Sequence, residues 1–459
     1  MTVRRSSEPA IYAAAGASSF RQDVRALLGL MTPLLTGSVL SSLTILANTV
    51  IVGRSEPNGL LLSGLFLPFS LLVVAVIESL RAPLTVYVTQ AAQAPDLRMM
   101  VGGFAALGAI LMLLVAVAVV AVGDRFFMRL DAPRDTLRHA ARFVTCMQIS
   151  SAALTAGVLA NAAVFARGFA RRALAISIAA NLVNLVVTSG SALLLRQGAI
   201  GGAWGTGAAG ILMLMASFSN LPRACGARQY WRSTTKRVFL MTRNIAIPVF
   251  GSYLVLSVYA AAINDVLMSI GPHAVAGFGV ANRLQNLFMM PAVALGTALA
   301  IRAGSMHRLG ASASDVSVAR FAGRGLAVGI AMYALVSAIA VVTQPLITPL
   351  MAGQGAAAEV LRAYLLIVCP SFVFFGPMLS LLIYLDQTGQ GRLALFFNVV
   401  SLCVTLTAAY AAAANDQLIR DVFIAIATCN VITALVLFAI VRQPAVHRPP
   451  RMLAHGGTL

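Results

Sequence analysis

Apolar runs of about 20 residues recur from one end of this chain to the other, divided by short polar breaks that carry arginine. A run of that length matches the hydrocarbon thickness of a bilayer. At that depth there is no water for the backbone to bond, so each run must close its own hydrogen bonds as a helix. The pattern predicts an all-α polytopic membrane protein with twelve transmembrane helices. The first six are expected near 28–52, 59–90, 99–122, 138–165, 172–195 and 199–220. The other six are expected near 245–268, 274–303, 321–344, 359–385, 392–414 and 420–441. Pro68 and Pro83 in the second span and Pro291 in the eighth are expected to bend those long helices.

The runs also repeat as a set. Met31-Thr-Pro33 opens the first long run and Ala246-Ile-Pro248 opens the seventh. Phe165–Ala175, with its Gly168 turn, is answered by Leu385–Leu395 with Gly389. Both landmark pairs are offset by roughly 215 to 220 residues, the signature of a duplicated bundle with its site between the halves. The expected organisation is a tail at 1–27, a six-helix lobe at 28–220, a basic linker at 221–244, a second six-helix lobe at 245–441 and a tail at 442–459. The lobes are pseudo-symmetric around a central cavity, related by an axis along the membrane normal, because six spans return the chain to its starting side.

Composition supports this reading and narrows it. The chain is 59% hydrophobic and only 10% charged, where a soluble domain carries about 25% charged residues. The net charge of +19 is almost all arginine, with Lys236 the one lysine. Arginines gather in the tails, in the linker (Arg223, Arg228, Arg232, Arg237, Arg243) and in alternate loops such as Arg167–Arg172. By the positive-inside rule these segments are cytoplasmic, which places both termini inside a bacterial inner membrane. The loop at 124–138 is basic on the other side, but Asp124, Asp131 and Asp135 offset most of its charge. Nucleic-acid binding is excluded by the want of a soluble basic face. The five cysteines are scattered, without the spacing of a metal site or a disulfide framework, so no metal and no cofactor is expected. No HExxH, GxSxG or P-loop pattern occurs, so the chain is not read as an enzyme.

Four stretches then carry a family resemblance. Thr32-Pro-Leu-Leu followed by Asn48-Thr-Val-Ile-Val-Gly53 resembles the opening of the multidrug and toxic compound extrusion (MATE) family. Ser269-Ile-Gly-Pro-His-Ala-Val-Ala-Gly-Phe-Gly-Val-Ala-Asn-Arg283, with Met290-Pro291 after it, is similar to the family's entry into span eight. Gly201-Gly-Ala-Trp-Gly-Thr-Gly207 matches the opening of span six, and Gly168 and Gly389 stand at the family's Gly-rich turns. The likeness covers about 30–440. It implies a monomeric secondary transporter that expels a small-molecule substrate against a proton or sodium gradient. In the wider multidrug/oligosaccharidyl-lipid/polysaccharide exporter superfamily, flippases for lipid-linked saccharides are the alternative.

Departures from the pattern matter for coupling. Where the family has an aspartate in span one, this chain has Asn48, and span five offers Asn181 and Asn184 without an acid one turn on. An amide takes up no proton near neutral pH, so coupling either runs through another group or is not of the usual kind. Charged groups at bilayer depth are costly and are therefore functional candidates. Glu78 and Arg81 lie three apart on one helix face, as a structural ion pair or as a proton site tuned by arginine. Asp265 and Asp386, near span ends, are further ion-coupling candidates or interfacial caps. Asn282, Arg283, Gln285 and Asn286 make one full turn of span eight polar. The resemblance turns this helix toward the central cavity, where Asn48, Asn181, Asn184 and Met289 join them as substrate-cavity candidates; interhelical hydrogen bonding is the other reading.

Overall fold

The computed structural model describes residues 20–56, 58–90, 96–127, 134–222, 247–308, 315–387, 390–416 and 419–441. Residues 1–19, 223–246 and 442–459, which hold most of the basic linker and of the tails, lie outside the described residues. Every regular element among those described is helical. They are α1 Phe20–Ser55, α2 Gly59–Leu65, α3 Leu67–Gln90, α4 Leu97–Phe127, α5 Arg134–Ala166, α6 Ala170–Ser189 and α7 Ile200–Ser219. The second half gives α8 Ile247–Ile270, α9 Pro272–Arg308, α10 Asp315–Ala352, α11 Ala356–Ile367, α12 Phe372–Gln387, α13 Gly391–Asp416 and α14 Ile419–Val441.

Ten helical segments among the described residues are long and apolar enough to cross a membrane. The remaining two expected spans fall in α1 and α9, of 36 and 37 residues; the apolar stretch of α1 among the described residues is Val39–Ser55. Two expected spans are broken. Pro68 has no N–H to continue a ladder, and α2 stops three residues before it at Leu65. Pro370, in the 3₁₀ turn Cys369–Ser371, parts α11 from α12. A bend is expected at Pro291, and beside it the ladder of α9 is bridged by a side chain. The Ala292 N–H donates to the Tyr333 hydroxyl at 2.9 Å, and that hydroxyl donates to Phe288 O at 3.0 Å. Tyr333, fully buried on α10, thus fills the i→i−4 gap beside the proline in α9.

Each half packs chiefly on itself: α5 against α4 and α7, and α6 on α7, in the first; α12 against α9 and α10, and α13 on α14, in the second. The halves meet along two seams, α3 with α8 and the pair α1/α2 with α9. In α1 the seam is crossed lengthwise. Its start, through Leu27 and Met31, is buried against Leu295, Leu299 and Leu381 of the second half. Its end packs on α6 of the first half.

Candidate functional site

Polar side chains concentrate where the halves touch, close to the face of the α1–α2 and α8–α9 turns. Asn48 and Thr49, adjacent on α1, point to different partners. Asn48 Nδ2 donates to Asn184 Oδ1 at 2.6 Å, and the Thr188 hydroxyl donates to the same oxygen at 3.3 Å. This joins α1 to α6 within the first half. Gly205 of α7 makes room for it, since a Cβ there would meet Thr188 Oγ1 at 2.0 Å. Thr49 instead accepts a hydrogen bond from Arg283 of α9, in the second half.

Arg283 sits about 16 Å along α9 from its start, level with the last turns of α1 and with α2. Its Nη2 also donates to Ser63 O of α2 at 3.2 Å. No carboxylate lies within ion-pair distance of it among the described residues. Next to it, Asn264 Nδ2 of α8 donates to Gly64 O at 3.1 Å, and the Ser257 hydroxyl donates to Pro68 O at 2.7 Å. Three side chains of the second half thus bond three carbonyls in the run 63–68 of the first. The backbones approach closely there: a Cβ on Gly279 would lie 2.5 Å from the Gly64 Cα.

The other candidates fall in three places. Gln285 accepts a hydrogen bond from the Tyr364 hydroxyl, whose ring stands edge-on to Phe423. Asn286 bonds its own neighbour Asn282 at 3.4 Å and is exposed, and Met289 is buried in the core. Asn181 is half-buried one turn before Asn184. Glu78 and Arg81 form an ion pair at 2.8 Å with side chains 27% and 49% exposed, so α3 turns this pair away from its packed face. Asp265 is exposed and accepts from Tyr410 of α13 at 3.1 Å. Asp386 lies in the last turn of α12, and its side chain is outside the described ones.

The structure therefore gathers Asn48, Asn184 and Arg283 at one level, together with Thr49, Ser63 and Asn264, which the sequence reading did not single out. Glu78, Asp265 and Gln285 stand apart from them. The signal for Asn264 was available. Pro68 leaves the carbonyl four residues back, Gly64 O, without a helical donor, and an asparagine in an otherwise apolar span is a ready substitute.

A polytopic helical membrane protein of two like halves, joined by a polar seam toward the α1–α2 and α8–α9 turns, is the class that these features define. Residues 248–411 match the MatE family model. The fold is that of MATE transporters of the MOP superfamily. An inward-facing multidrug resistance MATE family transporter superposes with a TM-score of 0.74 at 18% identity, covering 91% of this chain and 97% of that one. A mutant of the Vibrio cholerae MATE transporter VcmN gives 0.68 at 17% identity over 93% and 98% of the two chains. A MOP superfamily transporter from Pyrococcus furiosus, described as having a binding pocket of reverse polarity that suggests a different function, gives 0.69 at 19% identity over 92% and 95%. No curated protein matches the chain.

Proposed function

We propose that this protein is a secondary transporter that exports a small molecule by alternating access, with lobes 28–220 and 245–441 rocking about the polar seam. The carrying observation is that seam. Asn264, Arg283 and Ser257 close the second half onto carbonyls of the first near the α1–α2 and α8–α9 turns. With the arginine-rich turns and both termini cytoplasmic, that face is external, and the structure stands closed to the outside. The higher TM-score against an inward-facing transporter, 0.74, than against an outward-facing one, 0.66, agrees with this state. Opening releases four hydrogen bonds, one glycine contact and part of the apolar cluster that Leu62 and Leu65 share with Val275 and Val280, a cost that substrate and ion binding must offset.

The substrate is anionic, or neutral and rich in hydrogen-bond acceptors. Among the described residues Arg283 is a charge held by neutral oxygens, and opening the seam frees its guanidinium to grip a carboxylate or phosphate. The amides Asn48, Asn181 and Asn184 add donors and no negative charge. Proton coupling runs through Glu78, the carboxylate placed at the middle of a span. Everted inner-membrane vesicles test the reading: a proton gradient should drive accumulation of a carboxylate-bearing metabolite in preference to ethidium. Strong ethidium accumulation with no anion transport overturns it, and a lipid-linked saccharide that builds up on deletion shows a flippase instead.

A further inference from the structure

At the opposite face, the turn between α5 and α6 holds a second feature that transport does not require. Gly168, at φ +90°, reverses the chain there and sets Arg167 and Arg172 on either side of Phe169 in sequence. Each guanidinium carbon lies 5.2 Å from the centre of that ring. Asn220, just past α7, ties both down. Arg167 Nη1 donates to its carbonyl oxygen at 3.1 Å, and Arg172 Nη1 to its Oδ1 at 3.4 Å. Arg98, at the start of α4, lies over Phe218 at 5.7 Å, and Arg171 is exposed alongside Arg172. No carboxylate is within ion-pair distance of these four arginines among the described residues. Asp96, near Arg98 in sequence, is buried and accepts from the Tyr87 hydroxyl at 2.7 Å.

The arginines are held in place by aromatic rings and amide oxygens, and their charge is left standing. Beside them, Phe165 is 54% exposed and Phe169 39%, and Leu182 continues the apolar surface up α6 at 58%. Fixed positive charge bordering an apolar helix face suits a ligand with a phosphate at the membrane boundary and acyl chains below it. A soluble phosphate would leave the apolar flank bare. The matching stretch of the second half, Leu385–Leu395, carries Asp386 and Gln387 and has Arg392 as its lone arginine, so duplication of the fold did not by itself produce the patch.

We propose that the α5–α6 turn is a binding site for an anionic phospholipid headgroup, with Arg167 and Arg172 on its phosphate and Phe169 holding the two guanidiniums in place. The lipid would tie the end of α5 and the start of α6 to the end of α7 and so brace one lobe. The full-length protein in mixed micelles, titrated with phosphatidylglycerol and with phosphatidylcholine and read by native mass spectrometry, tests this. Phosphatidylglycerol should be retained in preference. Arg167→Gln and Arg172→Gln should each weaken it about fivefold, the equivalent of about 1 kcal/mol per arginine at a lipid surface. Phe169→Leu, which keeps the apolar flank and loses the cation–π support, should weaken it less. Arg138→Gln, exposed at the opposite face, should change nothing. Equal retention of the two lipids, retention unchanged in Arg167→Gln and Arg172→Gln, or full displacement of the lipid by millimolar inorganic phosphate would each overturn the proposal. Phosphatidylcholine retention in every variant reports whether it is folded, and Phe169→Leu, which removes no charge, keeps the test open if an arginine variant is not.

Discussion

Asn264 hydrogen-bonds the backbone carbonyl that Pro68 strips of its helical donor. Gly64 O would normally accept from the N–H four residues on, and residue 68 has none. The Asn264 amide, buried to 3% exposure on the other half of the molecule, fills the vacancy at 3.1 Å. A local defect in one lobe is thus repaired by the other, and only while the two are closed at this face.

The relationship predicts a coupling. Asn264→Leu keeps the branching of the side chain and removes the donor to Gly64 O, at a cost of about 1–3 kcal/mol. Pro68→Ala restores the missing N–H and lets Gly64 O bond within its own helix. In that background Asn264→Leu should cost about 1 kcal/mol less, as read from a double-mutant cycle on thermal unfolding in detergent. Strictly additive effects would show that the two residues act independently.

The glycine pair predicts a trapped state. A Cβ on Gly279 would collide with backbone at Gly64, which cannot swing away as a side chain can. Gly279→Ala should therefore hold the external seam open without unfolding either lobe. In a background with the five native cysteines replaced, Ser63→Cys, buried at 3% exposure, should be slow to react with an impermeant thiol reagent applied outside. Adding Gly279→Ala should speed that reaction about tenfold, the ratio given by a shift of about 1.4 kcal/mol between the two states. An unchanged rate would mean that the seam absorbs the methyl group.

Much of this fold was legible in the chain. Hydropathy alone places the apolar spans, because a membrane helix must be apolar over a fixed length. The exceptions are instructive. α1 and α9 carry Asn48, Thr49 and the turn from Asn282 to Asn286 within otherwise apolar runs, and these are the helices that run along the seam between halves. The sequence reading placed Arg283 among cavity residues. Its described contacts are to Thr49 and Ser63 across the seam, and one-dimensional periodicity cannot separate two such faces of the same helix. Tyr333 was passed over for a related reason. A tyrosine in an apolar span reads as filler until its hydroxyl is seen inside the α9 ladder, 41 positions away from Ala292.

Removing that hydroxyl is the next expected outcome. Tyr333→Phe keeps the ring in its buried pocket and leaves Ala292 N and Phe288 O to find each other across a bend. One donor and one acceptor lose their shared partner in a dry site, so a destabilisation of about 1–3 kcal/mol is expected. It should appear as a lower thermal midpoint, with substrate selectivity unaltered. A variant as stable as the parent would show that the ladder closes by itself.

Arg283→Gln separates latch from ligand. The shorter amide cannot span to both Thr49 and Ser63 O, so the seam loosens, and the seam's charge disappears. If the guanidinium also grips substrate, uptake of a carboxylate-bearing metabolite should fall at least tenfold, since a charge-assisted hydrogen bond contributes about 1.5–3 kcal/mol. Ethidium movement should hold or rise. A loosened seam without an anion role predicts that both substrates change together, and that pattern in vesicle transport would remove Arg283 from the substrate site.

Glu78 is where coupling is expected. Asn48 and Asn184 stand hydrogen-bonded to one another as amides, which exchange no proton in this pH range. Asp265 is exposed near the end of α8, under the hydroxyl of Tyr410. Glu78 lies mid-way along α3, partly open and paired with Arg81 at 2.8 Å. Protonation removes the negative charge that holds this pair, and the freed Arg81 must then seek another acceptor. One proton thereby changes the charge at the middle of a helix that runs along the seam with α8. Glu78→Gln imitates the protonated state permanently. It should abolish accumulation driven by an imposed proton gradient while leaving the exchange of labelled for unlabelled substrate at equal concentration. Arg81→Gln, which leaves the carboxylate in place, should keep coupling. Reconstituted vesicles report both quantities, and gradient-driven accumulation that survives in Glu78→Gln would place the coupling group elsewhere.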